Sequence, residues 1–140
     1  MRLRTLPLSV SGIIMASFLA VNKGLFEWDI FIFAMLTTIS FQILSNLAND
    51  YGDGIKGTDN NDRVGPERAI QSGGISPEKM LSAIKICALI SLLLALTLIL
   101  VSFGKANFLL TSVFFVLGIA CIVAAIKYTM GSNAYGYNAL

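Results

Sequence analysis

The sequence contains no histidine. Imidazole metal ligands and histidine-based catalytic triads are therefore excluded. It has only two cysteines, Cys87 and Cys121, and both lie in apolar stretches. They read as small buried hydrophobes rather than as a disulfide or a metal site. Charge is scarce: 13% of residues are Asp, Glu, Lys or Arg, against roughly a quarter in a soluble domain. The basic residues form no run and the net charge is +2, so nothing in the chain suggests a nucleic-acid partner. Strand-like alternation and low-complexity runs are missing too. What is abundant is apolar surface, at 56% hydrophobic residues and a mean hydropathy of +0.77. These values define an all-α integral membrane protein whose solvent is the lipid bilayer.

Four apolar segments predict four transmembrane helices, at about 6–22, 30–53, 80–103 and 107–126. The first is short, and Pro7 sits where an opening helical turn tolerates proline. Arg2 and Arg4 before it, with small residues near Ala20, also fit a signal peptide. Gly12, Ala16 and Ala20 form a small-residue stripe suited to close helix packing. Trp28 fits an interfacial anchor, and Tyr128, Tyr135 and Tyr137 read as belt residues at the opposite face. Phe18, Phe31, Phe33, Phe108, Phe114 and Phe115 read as lipid-facing or packing residues. Lysine and arginine placement sets the orientation. Arg2, Arg4, Lys56, Arg63, Arg68, Lys79 and Lys127 fall on one side, and Lys23 and Lys105 on the other. Both termini and the central acidic loop, 50–79, are thus expected in the cytoplasm, with the chain multi-pass in the inner (plasma) membrane.

The polar chemistry is concentrated between Asn46 and Lys79. Six of the eight acidic residues lie there: Asp50, Asp53, Asp59, Asp62, Glu67 and Glu78. Asn46, Asn49, Asp50 and Asp53 are spaced i, i+3, i+4, i+7, which places them on one face if the second helix continues to Asp53. Clustered carboxylates at a membrane edge repel each other unless a cation compensates them. Oxygen-only ligands suit Mg²⁺, which keeps waters and shares substrate phosphates. Gly52, Gly54 and Gly57 favour helix exit and close backbone approach. Lys56, Arg63 and Arg68 supply cations matched to phosphate oxygens. Together these groups describe a site for a metal-bound diphosphate on a lipid tail.

Simpler explanations stand beside this one. A long loop between membrane helices is ordinarily polar, and mixed charge solvates it. A calcium EF-hand does not fit, because Asp59-Asn60-Asn61-Asp62-Arg63-Val64 lacks the required glycine and a third oxygen ligand. The phosphatidyltransferase pattern fails as well, with Gly57 and Thr58 after Asp53-Gly54 where alanine and arginine belong.

The string N-D-Y-G-D, Asn49 to Asp53, resembles the first aspartate-rich motif of the UbiA-type intramembrane aromatic prenyltransferases. The wider run from Leu44 to Asp53, K-G-T-D-N-N-D-R from Lys56 to Arg63, and G-P-x-R from Gly65 to Arg68 are more specific. They resemble the branch that prenylates 1,4-dihydroxy-2-naphthoate in menaquinone synthesis. So do R-T-L-P-L at Arg4–Leu8 and Y-T-M-G…Y-G-Y-N-A-L from Tyr128 to Leu140. The resemblance covers essentially the whole chain.

That resemblance implies a bundle of about nine helices, each span closing its own backbone hydrogen bonds, of which this chain looks like the N-terminal half. It implies a polyprenyl diphosphate and dihydroxynaphthoate as substrates and Mg²⁺ as cofactor. Departure of the diphosphate leaves an allylic cation that an aromatic carbon attacks. Asn49, Asp50 and Asp53 would hold metal, with Asp59 a further acid of the naphthoate branch. Asn46, Lys56, Arg63 and Arg68 would face diphosphate oxygens, and Asp50, Asp53 and Lys56 would carry the chemistry. The general superfamily pattern has an aspartate where Gly57 stands, and Ser132 takes a place where proline is common. The second aspartate motif lies in a C-terminal half, so the 140 residues alone are expected to be inactive. Alternatives are a non-catalytic helical membrane module that binds lipid diphosphates or a partner half, and a prenyltransferase for another aromatic acceptor.

Overall fold

A computed structural model describes residues 6–56, 70, 73–104, 107–131 and 134–137. Four helices follow one another: α1 (Leu6–Asn22), α2 (Trp28–Lys56), α3 (Pro77–Phe103) and α4 (Phe108–Lys127). A short 3₁₀ turn, Tyr135–Tyr137, follows. No strand occurs among the described residues. By length and composition α2, α3 and α4 suffice to cross a membrane, whereas α1, at 17 residues, is a shorter apolar helix. The protein is thus an all-helical, multi-pass membrane protein.

The helix ends have local causes. Pro7 sits in the first turn of α1. At its other end Gly24 takes φ +69°, with Gly24 N–H donating to Val21 O (3.0 Å) and Leu25 N–H to Ala20 O (2.9 Å). This pair of bonds is a Schellman stop, which needs a left-handed residue without a Cβ penalty. Helix α2 begins at Trp28, two residues before the expected 30, because Asp29 in its first turn complements the positive end of the helix. The rings of Phe26, Trp28 and Phe31 gather there, with centroids 5.0–6.1 Å apart. Helix α3 begins at Pro77 rather than 80. Ser76 caps it by accepting from Lys79 N–H, proline fills the first position, and Glu78 follows. That serine, proline and acid form a helix-start signal outranking the apolar run behind them.

Helix α2 is the axis of the bundle and packs against each of the other three. Its 29 residues span about 43 Å, well beyond the roughly 30 Å of hydrocarbon. The core lies at its C-terminal end. Leu44, Met80 and Ile84 are buried there, with Leu47, Tyr51, Ile70, Cys87, Ala88, Ile122 and Met130 against them. At the middle of α2, Ser9 Oγ donates to Gln42 Oε1 (2.6 Å) and ties α1 to α2. Within the small-residue stripe of α1, a Cβ on Gly12 would meet no described atom within 4 Å. Both cysteines are free thiols, and Cys87 Sγ donates to Ser40 O (3.7 Å).

Candidate functional site

The last turns of α2 carry the candidate residues. The helix runs unbroken to Lys56, so Asn46, Asn49, Asp50 and Asp53 share a face. Asn46 and Asp50 are buried at 5% and 7% exposure, and Asn49 and Asp53 are half-buried. Buried charge at a helix C-terminus is electrostatically unfavourable. The macrodipole adds about half a negative charge where two carboxylates already stand. Lys56 in the final turn supplies one compensating cation.

Of the two roles expected for Gly52 and Gly54, helix exit does not occur and close approach does. The helix does not exit at Gly52 or Gly54, because both lie inside it. Their value is close approach. A Cβ on Gly52 would fall 2.7 Å from Thr129 Cβ and within the contact radius of the Thr129 carbonyl. A Cβ on Gly54 would lie 3.0 Å from Ile70 Cγ2. Glycine inside a helix costs about 1 kcal/mol relative to alanine. At Gly52 that cost lets the chain after α4 lie against α2, and at Gly54 it makes room for Ile70.

This tail segment carries no site role in its sequence pattern, and it packs onto the acidic face. Thr129 Oγ1 donates to Asn49 Oδ1 (3.1 Å). The Tyr137 hydroxyl donates to Asp53 Oδ1. The Lys56 ammonium sits 3.9 Å from the centre of the Tyr137 ring. The segment folds back on itself: Gly136 N–H donates to Tyr128 O (2.8 Å), and a Cβ on Gly136 would stand 2.5 Å from that oxygen. Tyr135 OH donates to Ala124 O (2.9 Å) and its ring meets Tyr128 edge-on at 5.4 Å. Tyr128, Tyr135 and Tyr137 are thus more than a belt. The only sequence signal for them was the motif Y-T-M-G…Y-G-Y, which carries no role on its face.

Of the residues expected at the site, Asn46, Asn49, Asp50, Asp53 and Lys56 come together at the end of α2. Asp59, Arg63 and Arg68 lie outside the described residues. Asn46 Nδ2 is buried and has no hydrogen-bond partner among the described residues. A buried donor of this kind calls for an acceptor.

The ion implied for this cluster is Mg²⁺. Among the described residues no three acidic, thiol or imidazole side chains gather around one point. Two carboxylates one turn apart and an amide oxygen remain, all hard oxygen donors. A carboxylate offers about four lone-pair positions, so the bond from Tyr137 leaves Asp53 able to ligate. Mg²⁺ ordinarily takes one or two carboxylates and completes its shell with water and phosphate. The residues present fit such an ion.

A multi-span helical membrane protein, with acids, amides and a lysine gathered where one long helix leaves the lipid, is the class that fold and site define. Comparison narrows it further. The chain belongs to the UbiA prenyltransferase family, whose model matches residues 9–140. It is 42% identical over 138 residues to the 1,4-dihydroxy-2-naphthoate octaprenyltransferase of Escherichia coli (strain K12), covering 98% of this chain and 44% of that protein. It is 40% identical to the protein of that name from Haemophilus influenzae, over 99% of this chain and 45% of the relative. The Mycobacterium tuberculosis counterpart is 35% identical, over 97% and 44% respectively. The chain therefore spans less than half the length of the curated relatives it matches. No solved structure matches it.

Proposed function

We propose that this chain provides the first diphosphate-binding cluster of an enzyme that transfers a polyprenyl group from its diphosphate to 1,4-dihydroxy-2-naphthoate in menaquinone synthesis. Family membership and the names of the relatives support the reaction class. The observation that carries the site is the shared face of α2, where a buried amide donor, Asn46 Nδ2, stands one turn before Asn49 and Asp50 and two before Asp53. In this reading Asn46 donates to a diphosphate oxygen, and Lys56, Arg63 and Arg68 place positive charge along the leaving group. Asn49, Asp50 and Asp53, with Asp59, would hold Mg²⁺. When bound, that ion would supply the charge that lets diphosphate depart. By holding that ion, Asp50 and Asp53 would keep the leaving group at the membrane edge, with the allylic cation on the lipid side and water excluded.

The cluster would face the cytoplasm with both termini, in the inner membrane; the bias of lysine and arginine supports that orientation. The 140 residues alone are expected to be inactive, because one acidic cluster does not enclose an allylic cation. The test is prenyl transfer in membranes with polyprenyl diphosphate, 1,4-dihydroxy-2-naphthoate and Mg²⁺. The chain is assayed alone and coexpressed with the C-terminal part of the Escherichia coli relative, with Asp53→Ala as control. Activity only in coexpression, lost in the control, is the expected result. Activity from the chain alone refutes the need for a second cluster. Silence in both, with folding verified, favours a non-catalytic diphosphate-binding module. Transfer to other aromatic acceptors but not to the naphthoate changes the acceptor and leaves the cluster in place.

A further inference from the structure

The tail after α4 reaches the acidic face at two points, and one side chain there makes two contacts of opposite kind. Tyr137 donates its hydroxyl to Asp53 Oδ1 and offers its ring face to the Lys56 ammonium at 3.9 Å. Asp53 and Lys56 are three residues apart on α2, so they are neighbours on the helix surface. Without a third group an acid and a lysine so placed would pair with each other or swing into water. We propose that Tyr137 is a positioning residue that holds the Asp53 carboxylate and the Lys56 ammonium apart in fixed orientations. This inference rests on the reading of Asp53 as an ion ligand and Lys56 as a diphosphate contact.

Several observations make the contact a built one. Tyr137 lies in a 3₁₀ turn anchored by Gly136 N–H on Tyr128 O and by Tyr135 OH on Ala124 O. The turn reaches α2 because Gly52 has no side chain where the Thr129 backbone crosses. Thr129 repeats the arrangement one turn earlier, its hydroxyl donating to Asn49 Oδ1. Two hydroxyls from one segment thus fix two oxygen donors of the same helix face. A phenol on a carboxylate leaves that group charged and removes its rotational freedom, as an outer hydrogen bond does for a metal ligand. A ring beneath an ammonium holds the charge while leaving its N–H donors directed elsewhere.

The experiment uses the 140-residue chain in lipid nanodiscs and two readouts. The first needs no metal: the Raman ring doublet of Tyr137, isolated as the difference between the chain and Tyr137→Phe. A strongly donating phenol is expected, and Asp53→Ala is expected to shift its doublet toward that of a water-bonded tyrosine. The second is Mn²⁺ binding followed by electron paramagnetic resonance. Tyr137→Phe keeps the ring under Lys56 and is expected to bind Mn²⁺ roughly 10- to 100-fold more weakly, the range for losing a hydrogen-bond partner of a metal ligand. A doublet indifferent to Asp53→Ala overturns the proposal. So does unchanged Mn²⁺ affinity in Tyr137→Phe. If the unsubstituted chain takes up no Mn²⁺, the ion-ligand reading of Asp53 fails, and the Raman comparison alone then decides whether Tyr137 positions the pair.

Discussion

Helices α2 and α4 are both apolar enough to cross a membrane, yet they are built for different neighbours. Seven residues of α2 are buried, among them Thr37, Ser40, Asn46 and Asp50. None of α4 is buried. Polar and charged side chains leave water on α2 because protein surrounds them, and every partner helix touches it. Helix α4 presents Phe108, Leu109, Val116 and Leu117 outward, a surface that lipid or protein must cover. Hydropathy passes both helices as spans, at 1.8 for α2 and 2.7 for α4, and does not say what surrounds each. The polar content of the buried face does, since a polar group inside a membrane protein is retained where it binds or reacts.

Substitutions can break or sharpen that contrast. The largest effect is expected from Asp53→Ala in the coexpressed enzyme. A loss of activity of at least about 100-fold, the scale of removing a group that stabilises developing charge, should appear in the prenyl-transfer assay. Leu44→Ala empties a fully buried position in the core behind the acidic face. It should lower stability by about 2–5 kcal/mol in chemical denaturation of the detergent-solubilised chain. Gly52→Ala forces a methyl group into the Thr129 backbone and should cost about 1–3 kcal/mol. Amide exchange would then rise across the tail while the body of α4 stays protected. At the small end, Val116→Ala on α4 should fall within about 0.5 kcal/mol of the parent. A cost near that of Leu44→Ala would mean that α4 is enclosed after all, and the contrast would collapse.

The sequence revealed these two helices unequally. Long apolar runs made the helical class plain, because lipid leaves few alternatives for the backbone. The acidic face was legible from spacing alone, since Asn46, Asn49, Asp50 and Asp53 follow the helical period. The start of α3 was written in Ser76, Pro77 and Glu78, but the apolar run beginning at Met80 overshadowed it. What could not be read was the tail. Thr129 and Asn49 are 80 residues apart, and Tyr137 and Asp53 are 84. No periodicity links such pairs; only the packed fold does. Gly52 and Gly54 looked like helix breakers because glycine is poor inside helices. Gly52 makes room for the Thr129 backbone, far away in sequence, and Gly54 for the Ile70 side chain.

The unbroken length of α2 has a further consequence. From Trp28 to Lys56 no loop absorbs an error, so every residue between the aromatic end and the acidic end sets the phase of the acids. Deleting one residue, for instance Leu36, would rotate Asn46 through Asp53 by about 100° and draw them about 1.5 Å back along the axis. The carboxylates would then turn away from Thr129 and Tyr137 and toward lipid, although every chemical group would still be present. Substitutions along α2 can be graded in effect, whereas insertions and deletions there cannot. In this stretch the count of residues is itself a functional constraint.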